Sequence, residues 1–193
     1  MQFFRAAVPA NALLVDRSYG FWKSKNVLHV ASMLKKSDIC NNPGYMNIEK
    51  YELKSGEQLE LFEFVSVGPK GRIIKLVQYS PTNYKDLFNL GFGDKNIETG
   101  EIDDSAISNN GDSEKVLATV VATLYAFTDK HRDALVYVTG STKSRTRLYR
   151  MGVTKYFDEA INDFEIFGEI NNKWEEFRKD VEYEGFIVKR KLN

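Results

Sequence analysis

Residues 134–150 read Ala-Leu-Val-Tyr-Val-Thr-Gly-Ser-Thr-Lys-Ser-Arg-Thr-Arg-Leu-Tyr-Arg, and the fold class turns on them. The first six are almost unbroken apolar and β-branched residues, the pattern of a short strand covered on both faces. Through Gly140-Ser141-Thr142 this strand runs into a basic helix expected from Lys143 to about Ile161. Turned at about 100° per residue, Lys143, Arg147, Arg150 and Thr154 share one narrow face. Leu148, Tyr149, Gly152, Val153 and Tyr156 form a broad opposite face, expected to pack on a sheet. Arg145 projects from the middle of that apolar face in the first turn.

Upstream, Leu117, Val120, Val121, Leu124 and Phe127 recur at the spacing of a second amphipathic helix, with Asp112 or Ser113 as its N-cap. Before it lies a polar loop, 94–114, with seven acids (Asp94, Glu98, Glu101, Asp103, Asp104, Asp112, Glu114) and one lysine, Lys95. Loops of that length are usually functional or mobile. Residues 59–67 and 72–79 are two β-rich runs joined by Gly68-Pro69-Lys70-Gly71, where proline presets one turn dihedral and glycine supplies the left-handed one. This predicts a hairpin. Alternating Phe88, Leu90 and Phe92 predict a third strand. Downstream, 163–170 reads as a strand, 172–179 as a short helix and 184–189 as a final strand. The chain is therefore expected to be α+β, with a mixed, mostly antiparallel sheet and two main helices.

A length of 193 residues supports one domain of ordinary size. Lys plus Arg and Asp plus Glu balance at 27 each, so any nucleic-acid contact must come from a local patch. One cysteine, Cys40, excludes an internal disulfide, and with His29 and His131 as the only histidines a zinc site is not expected. No apolar run reaches the roughly 18 residues of a membrane span, and no signal peptide is evident. The expected setting is the cytoplasm, without membrane contact. Residues 1–39 carry six Lys or Arg against two acids, and 27–36 suggests a short helix without a clean period. We divide the chain into an N-terminal extension or translated leader, 1–45, and a single domain, 46–193, with Met46 as an alternative start.

The strand-to-helix turn collects groups that suit an anion. Unpaired N–H groups open the helix with the positive end of its dipole behind them. Gly140 permits close approach, Ser141 and Thr142 offer hydroxyls, and Lys143, Arg145 and Arg147 bring charge. The turn lies past the carboxyl end of a strand, where open α/β sheets bind ligands. A phosphate, a carboxylate or a pyrophosphate fits this chemistry, so a phosphate-bearing small molecule or a nucleic-acid backbone is the expected partner. A plainer reading stands beside it, in which Ser141 and Thr142 are caps and Lys143, Arg147 and Arg150 a solvated face. Arg145 would then pair with the acidic loop at Asp94, Asp103, Asp104 or Asp112. His131, in a polar connection, is expected to be exposed. Asp103-Asp104 matches no defined cation cage, and Cys40 has no helper that would activate it. No metal ligand set, Walker motif or nucleophile elbow is present, and no cofactor can be named.

Residues 62–71, 109–120 and 140–150 resemble a domain family of Bacteroidota proteins, over 46–193. That resemblance implies a bacterial origin and brings no activity. The order of hairpin, third strand, helix, buried strand, helix and two strands also resembles the core of GNAT acyltransferases. Arg145, Leu148-Tyr149 and Met151-Gly152-Val153 are loosely similar to the segment following that family's fifth strand. The resemblance would place Tyr149 near a leaving thiol and make the acidic loop a receiver of basic substrate. The departure lies at Asn109-Asn110-Gly111-Asp112, where Asp112 and Glu114 would repel a coenzyme pyrophosphate. Three functions follow: an anion-binding module at Gly140, Ser141, Thr142, Lys143, Arg145, Arg147 and Tyr149; a divergent acyltransferase; or an interaction module whose acidic loop docks a basic protein. The sequence does not decide whether the protein is an enzyme.

Overall fold

Phe62, Phe64 and Ser66 turn one way in β2 (Leu61–Gly68) and face Val77, Lys75 and Ile73 of β3 (Gly71–Pro81) across an antiparallel ladder. The expected hairpin is present, with Pro69-Lys70 as its turn and Gly71 at φ +89°. The structure is a computed structural model that describes residues 48–191 apart from 104, 105 and 107. The short helix expected at 27–36, the Met46 start, His29, Cys40 and Asp104 lie outside the described residues.

From the hairpin the sheet grows to nine strands. A short β1 (Lys54–Ser55) lines the outer edge of β2, and β4 (Leu87–Lys95) pairs with β3. A two-residue β5 (Ile102–Asp103) folds back on the end of β4. Helix α1 (Ser113–Lys130) then carries the chain across the sheet to β6 (Leu135–Val138), parallel to β4. That parallel pairing lasts only from Leu87–Leu135 to Asn89–Tyr137 before the two strands part. Helix α2 (Lys143–Asp163) leads to β7 (Phe164–Ile170), β8 (Lys173–Glu176) and β9 (Gly185–Arg190). The last of these inserts between β6 and β7, giving the order β1-β2-β3-β4-β6-β9-β7-β8.

The sheet is thus mixed and mostly antiparallel, with two main helices, as the sequence implies. One element differs. The segment 172–179, expected as a helix, instead contains β8 (Lys173–Glu176), because Asn171 and Asn172 take φ of 50° and 58° and close a two-residue hairpin from Ile170 to Lys173. Consecutive asparagines tolerate the left-handed region that such tight turns require.

Both helices pack on one face of the sheet. Under α1 lie Phe62, Phe64, Val77, Tyr79 and Val136, which pack against Phe127 of the helix, with the Tyr79 and Phe127 rings stacked 4.0 Å apart. Tyr79 OH meets Thr123 Oγ1 at 2.9 Å, which satisfies a hydroxyl with no access to water. A second cluster around Phe164, Ile166, Phe186 and Val188 takes Tyr149, Val153 and Phe157 of α2. On the opposite face Leu87, Tyr137 and Ile187 form a smaller cluster. β6 is therefore covered on both sides, as its composition implies.

The N-cap position of α1 is Asp112, but its side chain does not cap the helix. Its Oδ2 instead accepts from Ser66 Oγ (2.6 Å) and Tyr51 OH (2.7 Å). Beside it the buried Asn110 donates to Ser66 Oγ (2.9 Å) and the Gly71 carbonyl (3.0 Å), and accepts from Lys70 N (2.9 Å). This knot ties the hairpin end to the start of α1. Replacing Asn110 by alanine strands buried partners, so Asn110→Ala is expected to lower stability by about 1–3 kcal/mol. The readout is a lower urea midpoint at unchanged slope; a midpoint equal to the parent's would show that the knot contributes nothing.

Candidate functional site

The turn between β6 and α2 is built tightly onto its own helix. Gly140 N donates to Thr146 Oγ1 (3.1 Å). A Cβ at Gly140 would lie 2.3 Å from Thr146 N and 2.6 Å from Arg145 Cβ. The close approach that glycine allows here is therefore taken by the first turn of α2. Thr142 is the N-cap, and its side chain accepts from Arg145 N at 3.3 Å.

Ser141, Thr142, Lys143 and Arg147 are exposed, and Arg145 is half-buried. Arg145 Nη1 donates to Ser141 Oγ (2.6 Å) and Nη2 to the Ala106 carbonyl (2.7 Å). Its guanidinium therefore bridges the start of α2 and the polar loop, where it reaches the Ala106 carbonyl. Of the acids weighed as its partners, Asp94 and Asp112 are engaged elsewhere.

Two expectations for α2 need correction. Arg150 leaves the solvated face and pairs with Glu182 at 2.9 Å, its side chain largely covered. Leu148 is 62% exposed rather than packed. Tyr149, Gly152 and Val153 face the core as expected and are joined by Thr146, Phe157 and Ala160, a face whose centre lies about a third of a turn from Leu148. Tyr149 thus belongs to the second core cluster.

The polar loop is anchored by groups that the sequence reading passed over. Lys75 is buried on the helix face of β3 and binds Asp94, directly opposite on β4, together with Ser108 Oγ. The signal was a lone lysine within Ile-Ile-Lys-Leu-Val at an inward position of the ladder. Lys95 pairs with Glu63 at 2.7 Å. His131, expected to be exposed, is half-buried at the end of α1, 4.5 Å from Phe127 and 5.7 Å from Phe88 between ring centres, with Nε2 3.1 Å from the Gln58 carbonyl.

A second polar group lies on the other face of the sheet. Glu169, 7% exposed, and the Tyr137 hydroxyl pack side by side against Gly185. Burial raises the Glu169 carboxyl above its usual value, the charge of Glu184 raises it further, and the Tyr137 hydroxyl opposes the shift. Tyr137 is pushed up to about 12, first by burial and then by Glu169. Its signal in sequence was slight, one acid at an unremarkable position in Phe-Gly-Glu-Ile.

Among the described residues no three His, Cys, Asp or Glu side chains are grouped to hold a metal ion. No helix among them is long and apolar enough to cross a membrane. The model of a family of unknown function, DUF6934, matches residues 47–191. No curated protein and no solved structure matches the chain.

Glu169 gives a pH signature. Because its folded-state pKa is raised, its contribution to stability is complete below the unfolded value near 4.5 and is lost as pH rises through the raised value. Glu169→Gln removes the ionisation, so the variant is expected to melt above the parent at pH 7 and level with it near pH 4. Parallel melting profiles for the two proteins across that range would rule out the assignment.

Proposed function

Because the chain belongs to the DUF6934 family, to which no function is attached, we propose a function from geometry: a bacterial, cytoplasmic module that binds a phosphate-bearing ligand. The ligand, a small molecule or a nucleic-acid backbone, would sit at the start of α2 against Ser141, Thr142, Lys143 and Arg147. Arg145 holds Ser141 in place. The observation that carries this reading is the charge order of α2. Its first turn has no acid and its last turn no base. Lys143, Arg145 and Arg147 crowd the positive end of the dipole, while Asp158, Glu159 and Asp163 crowd the negative end. A solvated helix is stabilised by the opposite arrangement, at about 0.3–1 kcal/mol per charge. An anion at the N-terminal turn would relieve the repulsion there and meet the amides that a helix leaves unpaired.

Two other readings each have one observation in support. Strands β4 and β6 run parallel and separate after three paired positions, which suits a divergent GNAT-like acyltransferase. Asp112 and Glu114 at the start of α1 still oppose a pyrophosphate, and Tyr149 packs in the core. Glu98 and Glu101, exposed beside the 89% exposed Ile97, suit a loop that docks a basic protein.

A thermal-shift series on the full chain tests the proposal, with inorganic phosphate, nucleotides, coenzyme A and short RNA in parallel. A true ligand at a hundredfold excess over Kd adds about 2.7 kcal/mol, or about 5–10 °C in Tm for a chain of this size. Lys143→Gln with Arg147→Gln is expected to abolish that shift while leaving unliganded stability within about 0.5 kcal/mol. Absence of a shift with every anion sinks the proposal. A response to coenzyme A alone that survives the double change favours the acyltransferase.

A further inference from the structure

The two helices lie side by side on the sheet and are pinned together at two places. At one end Glu114 of α1 accepts from Lys155 and from Tyr156 OH of α2, and Leu117 closes onto Gly152, where a Cβ would lie 2.6 Å from its methyl. At the other end Tyr125 OH donates to Asp163 Oδ2 at 2.7 Å. Between these pins is a cavity of about 90 Å³, where a single water needs about 10–15 Å³. Val121 and Leu124 of α1 and Val153 and Ala160 of α2 form its walls, and Ile166 and Val188 its floor. Such a lining offers water no hydrogen bonds, and apolar cavities of this kind stay dry and take up hydrocarbons.

Polarity enters only at the rim. Glu159 is exposed there, beside Tyr156. Of the nearby cations, Lys155 is held by Glu114, and Arg190 lies over the Tyr125 and Phe164 rings with Asp129 and Asp163 at 3.7 and 4.0 Å from Nη2, its buried Nη1 making no hydrogen bond. Glu159 also sits toward the negative end of α2, where a cation is favoured and an anion disfavoured.

We propose that the groove between α1 and α2 is a second binding site, for a short aliphatic chain ending in an ammonium group. The chain fills the cavity between the two pins and the head group meets Glu159. This site is separate from the anion-binding turn and does not depend on it.

The test compares hexylammonium, hexanol and hexanoate on the full chain by thermal shift. Hexylammonium at tenfold excess over its Kd is expected to raise Tm by about 3–6 °C, hexanol at the same concentration less and hexanoate least. Glu159→Gln is expected to bring hexylammonium down to the level of hexanol. Val121→Phe or Ala160→Leu, which fill the cavity, should remove all three responses. Methyl NMR of the parent supplies a readout that needs no variant, with ligand-induced shifts confined to Val121, Val153, Ile166 and Val188. Absence of a Tm response in the parent, methyl shifts lying elsewhere, or an undiminished response in the filled variants would each overturn the site. Equal responses to hexylammonium and hexanol would overturn the head-group assignment.

Discussion

Everything in the helix-bearing layer depends on how the chain leaves β4 and returns as a parallel β6. A parallel connection cannot be a tight turn; it must cross the sheet, here through a long polar loop and α1. Beyond the short pairing of β5 with β4 the loop joins no ladder, and the turn of the β2–β3 hairpin has backbone groups facing it; buried polar groups without partners cost about 1–3 kcal/mol each. Asn110 supplies partners for the turn. Its amide donates to the Gly71 carbonyl and accepts from Lys70 N, as a neighbouring peptide would, and so finishes the hairpin from outside. Ser66, with no exposed surface, links it to Asp112. The helix gives up its side-chain cap so that its first residue can hold the hairpin.

Two cations complete the anchoring of the loop. Lys75 reaches it from the sheet through Asp94 and Ser108, and Arg145 from α2 through the Ala106 carbonyl. Removing either partner of a buried ion pair such as Lys75–Asp94 leaves a lone charge, so the pair specifies the path of the loop even where it adds little net stability. Arg145 has a comparable structural duty. Its presence in the first turn of α2 is explained by the fold, whereas the exposed Lys143 and Arg147 make no such contribution and are the residues on which an anion-binding role rests.

Elements with a strong period were legible in the sequence: the hairpin around Pro69-Lys70, the alternating Phe88, Leu90 and Phe92, and the apolar stripe from Leu117 to Phe127. β8 was not, because the pair Asn171-Asn172 reads equally as a loop before a helix and as a tight turn, and only the register with β7 decides. On α2 the period was right but its phase was not. Counting Leu148 as core shifted the apolar face, since hydrophobicity alone does not say which side meets the sheet. Lys75 and Glu169 were beyond reach for a different reason. A charged residue in a strand is assigned to solvent by default, and its burial depends on strands far away in sequence. For the candidate site, the residues of the turn were legible as a group, and what Gly140, Tyr149 and Arg150 do there was not.

The contrast between the two helices bears on function more than either helix does alone. They share a sheet, a face and a solvent, yet α1 carries one charge of each sign at either end, Glu114 with Lys115 in its first turn and Asp129 with Lys130 in its last, while α2 breaks the dipole rule at both ends. Sequences usually agree with their fold at every level, and departures gather where something other than stability is selected. In α2 the departures do not fall at random. The basic end coincides with the exposed hydroxyls of Ser141 and Thr142, and the acidic end with the rim of the apolar cavity between the helices. A helix whose charges oppose its own dipole is less stable than its reverse would be. Part of that penalty is offset within the fold, where Lys179 pairs with Asp158 and Arg190 stands 4.0 Å from Asp163; the ligands proposed above, an anion at Lys143 and a cation at Glu159, would meet charges that remain.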